Sequence, residues 1–145
     1  DYLEANSAWV ALIGTGHQTR IDGIRDITVI SSGGGDIARL NGSAGDDTLA
    51  INQGLRTLTS SRFNLRVESF ATVAFYGQGG DDAVEITGIN SSDELYGRRS
   101  AGRYTAASYR TEFSDVDNVL AQARANQSVR ADVRSVDYLF RRLAN

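Results

Sequence analysis

Six aspartates stand beside glycines or a few residues behind them: Asp36, Asp46, Asp47, Asp81, Asp82 and Asp93. Carboxylates on tight glycine turns can supply hard oxygen ligands, and calcium takes about six to eight of these. The six are therefore the residues to weigh first for chemistry. The competing reading needs no ion. Asp and Asn bond their own backbone and tolerate left-handed conformations, so they occupy corners unaided.

Other chemistry-bearing residues are sparse. His17 is the single histidine, and no Gly-x-Ser-x-Gly elbow marks a nucleophile for a Ser/His/Asp arrangement. Asp46-Asp47 and Asp81-Asp82 raise the possibility of two-carboxylate glycoside hydrolysis. Adjacent strand residues, however, point to opposite faces, and the pair recurs at successive turns. The chain therefore reads as a non-enzyme. Arg20 and Arg66 occupy equivalent positions, with Asp22 and Glu68 two residues on and facing the same way. They read as a solvated ladder of arginines and acids, with contact to an anionic glycan as the sharper alternative. Trp9 reads as core or end packing, and Tyr76, Tyr96 and Tyr104 are the aromatic candidates for a sugar-binding face.

Composition removes several classes of partner. Cysteine is absent, so neither a disulfide framework nor a thiolate metal site can form. The 15 basic residues are all arginine, and the net charge of −3 offers no basic field for nucleic acid. No apolar run reaches the roughly 18 residues of a membrane-spanning helix.

A repeat must position these residues. Ile21, Val67 and Phe113 are separated by steps of 46 residues, as are Ile24, Phe70 and Val116, and Ile27, Val73 and Val119. Leu3, Leu49 and Leu95 form another such column; so do Leu12, Leu58 and Tyr104, and the rings of His17, Phe63 and Tyr109. A strict long period signals stacked copies of one supersecondary unit, here 1–46, 47–92 and 93–138 of a single domain over 1–145. Within the second copy, 48–52, 56–60, 64–68, 72–76 and 83–87 alternate apolar and polar residues as half-buried strands do. Asn52-Gln-Gly54 and Gly77-Gln-Gly-Gly80 are the turns, and 118–122 reads as a strand by its alignment with the second copy. The expected architecture is all-β, a parallel β-helix (β-solenoid) of about two coils per copy and roughly 30 Å length at 4.8 Å per coil. Repeated antiparallel sheets are the alternative. Val136, Leu139, Phe140 and Leu143 follow helical spacing and suggest a short capping helix over 135–145. With Asp1 standing in the column of Asp47, the sequence is expected to be part of a longer chain.

Gly42-Ser-Ala-Gly45-Asp-Asp47-Thr-Leu49-Ala50 and Gly77-Gln-Gly-Gly80-Asp-Asp82-Ala-Val84-Glu85 resemble the Gly-Gly-x-Gly-x-Asp-x-apolar-x nonapeptide of the RTX (haemolysin-type) calcium-binding family. Gly88 to Tyr96 and Ser31 to Arg39 resemble it more loosely. The resemblance implies calcium as the candidate cofactor, held between stacked turns with Asp36, Asp46, Asp47, Asp81, Asp82 and Asp93 as the candidate metal ligands. The windows here come in pairs 11 residues apart rather than in tandem, which departs from the family pattern. The apolar columns resemble solenoid repeats of large secreted bacterial surface proteins. No column breaks pattern to mark one special site. The expected function is a non-catalytic structural or adhesive repeat module, extracellular or on the cell surface. Its expected partners are neighbouring repeats of the parent chain, a cell-surface glycan or another copy of itself. A calcium-dependent carbohydrate-binding or carbohydrate-active β-helix domain is the alternative.

Overall fold

The computed structural model describes residues 1–143. Among these every regular element is a strand. The chain is a β-solenoid of about four turns, flattened into a nine-stranded and a seven-stranded sheet that face each other across one hydrophobic core. At roughly 4.8 Å per strand, nine strands extend about 38 Å.

Each copy contributes five strands. The first gives β1 (Tyr2–Ala5), β2 (Trp9–Gly14), β3 (His17–Asp22), β4 (Asp26–Ile30) and β5 (Ile37–Asn41). The second gives β6 (Thr48–Asn52), β7 (Leu55–Thr59), β8 (Asn64–Glu68), β9 (Thr72–Tyr76) and β10 (Ala83–Ile89). The third gives β11 (Glu94–Arg99), β12 (Ala101–Thr105), β13 (Arg110–Ser114), β14 (Asn118–Ala123) and β15 (Arg130–Val136), and β16 (Leu139–Leu143) follows. The first three strands of a copy form an antiparallel meander in one sheet. The fourth crosses to the other sheet and the fifth returns. Stacked coils join through parallel pairs, so the solenoid contains both pairing types considered from sequence.

The meander lies in the nine-stranded sheet for copy one, in the seven-stranded sheet for copy two, and in the nine-stranded sheet again for copy three. A step of 46 residues therefore lands on the opposite sheet. Residues that stack in register are separated by a different interval. Leu3 pairs with Ala38 and Ala38 with Val73; Leu49 pairs with Val84 and Val84 with Val119. Each of these steps, such as 38 − 3, is 35 residues.

This alternation corrects one expectation. The rings of His17, Phe63 and Tyr109 do not stack: His17 is exposed on β3, Phe63 is buried, and Tyr109 packs edge-on against Tyr104 with centroids 5.9 Å apart. Most of the apolar columns still hold, because in either sheet the inward side of a strand meets the same core, but Ile21 and Ile24 of the first copy are exposed. Leu3, Leu49 and Leu95 are all buried, as are Phe70 with Val116 and Val73 with Val119. Each such side chain contributes about 1.5–3 kcal/mol.

The expected capping helix is also corrected. Over its described part, 135–143, the tail forms the end of β15 and then β16, which pairs in parallel with β14. Residues 144 and 145 of that expected cap lie outside the described residues. Burial of Tyr138 and main-chain pairing to an open sheet edge, including Leu139 N to Asp117 O at 2.8 Å, outweigh a one-sided helix.

Candidate functional site

The interval of 35 residues, rather than 11 or 46, brings the Gly-Asp corners together. Asp81 N donates to Asp46 Oδ1, Asp47 N to Asp82 Oδ1, and Asp82 N to Asp117 Oδ2, each at 2.9 Å. Corner thus stacks on corner in a carboxylate-to-amide ladder. Gly80 has φ 93°, and a Cβ there would lie 2.5 Å from the carbonyl carbon of Gly45, so only glycine permits this approach. The adjacent carboxylates diverge at corners that lie just before β6 and β10 and outside any strand: Asp46 and Asp81 are exposed, Asp47 and Asp82 buried.

Hydrogen bonds already occupy most of the candidate ligands. Asp36 accepts from the Ser31 hydroxyl and the amino terminus, which hold its carboxyl below the ordinary range, the terminus more strongly. Asp47 accepts from the amide and hydroxyl of Ser43. Asp93 accepts from Asn90 N at 2.8 Å and the buried Tyr104 hydroxyl at 2.7 Å. Asp82 differs: it is 1% exposed, and its Oδ2 has no hydrogen-bond partner. Ser31 caps Asp36 and Ser43 caps Asp47, but the residues matching these serines at the Asp82 corner are Gly77 and Gln78, neither of which has a hydroxyl to give. Burial pushes the Asp82 carboxyl up, against its bonds to backbone amides, and the charges of Asp47 and Asp117 push it further. A depression of about 430 Å³ lies at this corner, lined by Gln78, Asp82, Asp115 and Asp117 among others. Among the described residues no three acidic or histidine side chains converge in a metal-holding arrangement.

The aromatic candidates divide. Tyr104 lies in the core, where burial raises its hydroxyl pKa. Tyr76 and Tyr96 both face outward from the nine-stranded sheet and line a groove of about 340 Å³. Strand register sets the groove's plan. One row across the sheet runs Tyr96, Arg103, Glu112, Ala74, and the next runs Arg98, Ala101, Ser114, Tyr76. The small residues make a trough with a tyrosine near each end. The guanidinium carbons of Arg98 and Arg103 lie 5.6 and 5.7 Å from the centroid of the same Tyr96 ring.

Four of the other outward arginines behave as the ladder predicts. Arg20 pairs with Asp22 at 2.7 Å, Arg66 with Glu68 at 2.7 Å, Arg110 with Glu112 at 3.3 Å and Arg134 with Asp132 at 2.6 Å. Every pair is two residues apart on one strand face. Trp9 is half-buried, with Arg20 over its ring at 4.9 Å.

Arg56 is the functional candidate that sequence reasoning missed, and it corrects the expectation that no column breaks pattern. It sits in the column of Val10 and Gly102, yet it is fully buried. Nε donates to Thr111 Oγ1 at 3.1 Å, Nη1 to the carbonyls of Gly54 and Phe70 at 2.7 and 3.1 Å, and Nη2 to Arg110 O at 3.2 Å. Tyr109 covers the guanidinium at 4.4 Å. This one side chain ties β7 to β13 across the core. Burial draws its pKa down to about 10, so it remains charged at neutral pH without an acidic partner among the described residues. Its signal in the sequence was a charge on the inward side of an alternating strand, opposite in character to its column mates.

Comparison with family models, with curated proteins and with solved structures finds no match to this chain. The class that fold and sites define is a β-solenoid with outward arginine–acid ladders and stacked aspartate corners.

Proposed function

We propose that the chain is a non-catalytic structural or adhesive repeat module of a secreted or cell-surface protein. One observation carries this reading. The strands at the two ends of the stack leave core-facing apolar side chains only partly covered: Ile21 on β3, Ile27 and Val29 on β4, and Phe140 on β16. Such ends suit the addition of further coils, from neighbouring repeats or from another copy of the chain. A tandem fusion of two copies tests the idea by thermal melting, since solenoid stability grows with each interface buried. The fusion should melt well above the single chain; an equal melting temperature would refute stacking through these ends.

A second reading, a calcium-dependent module of RTX-like type, is favoured by Asp82 alone. The residues at its corner suit one hard cation better than a ladder of them. Asp82 Oδ2 and the Asp115 carbonyl oxygen both crowd the same side of Gly77, and Asp82, Asp115 and Asp117 line the same depression. Bound there, a cation would supply the positive charge that the buried carboxylate lacks. Asp36, Asp47 and Asp93 need no ion, because their hydrogen bonds are made within the chain.

A further inference from the structure

We propose that the groove between Tyr76 and Tyr96 binds a carboxylate-bearing (uronate) oligosaccharide. The inference rests on the adhesive reading above and gives that adhesion a face and a ligand class.

Charge is the first ground. Arg98 and Arg103 lie against one ring, make no ion pair among the described residues, and stand on the groove wall. Four other outward arginines are neutralised by an acid two residues away. Glu112, opposite Arg103 in register, is turned to Arg110 instead. Glu94, two residues before Tyr96, bonds neither arginine among the described residues. Two adjacent unneutralised guanidiniums present forked donors that match a carboxylate bidentately.

Shape is the second ground. Tyrosine rings stand near both ends of a trough floored by Ala101 and Ser114, each with a guanidinium over it, so a pyranose would lie along the trough floor against the ring surface that the arginines leave open. Glu112 and Ser114 can accept from sugar hydroxyls. Arg39, stacked on Tyr76 at 4.7 Å, extends the positive field to the far end.

The position in the sheet selects a glycan over an acidic peptide. The trough crosses β11, β12, β13 and β9, whose main chains are bonded to one another. No free strand edge is presented, so a peptide could not add by backbone pairing. A ligand here must be held by side chains, as a sugar with hydroxyls and one carboxylate can be.

Calorimetric titration of the intact chain with hexasaccharides of galacturonate, guluronate and mannuronate tests the proposal. A neutral galactose hexasaccharide and hexaglutamate serve as comparators. At least one uronate should bind, more weakly as salt rises, while the comparators do not. Arg103→Gln and Arg98→Gln should each weaken binding about tenfold or more, and Tyr96→Ala should abolish it, with melting temperatures unchanged. Tyr96→Phe, which keeps the ring, should retain binding. Absence of binding to all three uronates at millimolar concentration would overturn the proposal. So would unchanged affinity in both arginine variants, or equal binding of the neutral sugar. Equal binding of hexaglutamate would overturn the glycan assignment in favour of an acidic peptide. The tandem-fusion melt does not depend on the groove, so either result leaves the structural reading to be judged separately.

Discussion

Asp82 and Arg56 are two buried charges with no opposite charge beside them, and they should respond to substitution in opposite ways. Asp82 is held above its ordinary 3.8 by burial first and by its neighbours' charge second. The native state therefore keeps the proton to higher pH than the unfolded chain, and the contribution of Asp82 to stability falls as pH rises from about 3.8 towards its native value. Asp82→Asn should remove that fall and raise stability at neutral pH by about 1 kcal/mol or more in chelator, measured by urea unfolding across pH. If a cation occupies the corner, calcium should raise the melting temperature of the wild type but not of this variant. An EDTA melt identical to a calcium melt would sink the cation reading. Arg56→Met keeps the volume but strands the carbonyls of Gly54, Phe70 and Arg110. It should destabilise by about 3 kcal/mol or more, and a near-neutral result would show that water can replace those bonds. The Asp corners were legible in sequence because glycine and aspartate announce turns. Which carboxylate lacked a donor was not legible, since that depended on Gly77 and Gln78 standing where Ser31 and Ser43 cap the other aspartates.

Strands are specified by alternation, and alternation proved sufficient over most of the chain. The second copy places Leu49, Ile51, Leu58, Leu65, Val67, Val73, Phe75, Val84 and Ile86 inward, as its two-residue period demands. Val73 lies on β9, paired on both sides by β5 and β13. Val73→Asp should unfold the module, costing about 4 kcal/mol or more for an unpaired charge in the core; loss of the cooperative circular-dichroism transition is the check, and wild-type melting would refute the register. Alternation gave no guide at the tail, where Val136, Leu139, Phe140 and Leu143 follow helical spacing and the adjacent Leu139 and Phe140 break a two-residue period. A sheet edge already in place offers main-chain bonds that a short isolated helix lacks, and nothing local in the tail records that edge.

At the scale of the whole molecule, stability should accumulate along the stack, which is why the tandem fusion is the decisive test of the modular reading. The apolar period of 46 residues determined that the chain stacks copies of one all-β unit, because every copy must bury the same side of the same strands. It could not reveal that successive copies exchange sheets, since inward columns look alike whichever sheet they line. That exchange sets the true stacking interval of 35 residues, exemplified by Leu3 against Ala38. It puts Asp47, Asp82 and Asp117 in one ladder, and it lays Tyr76 of the second copy on the same face as Tyr96 of the third, across one groove. Composition and period thus settled what kind of solenoid core forms. Strand pairing between distant segments, which no local propensity encodes, decided which surface residues became neighbours.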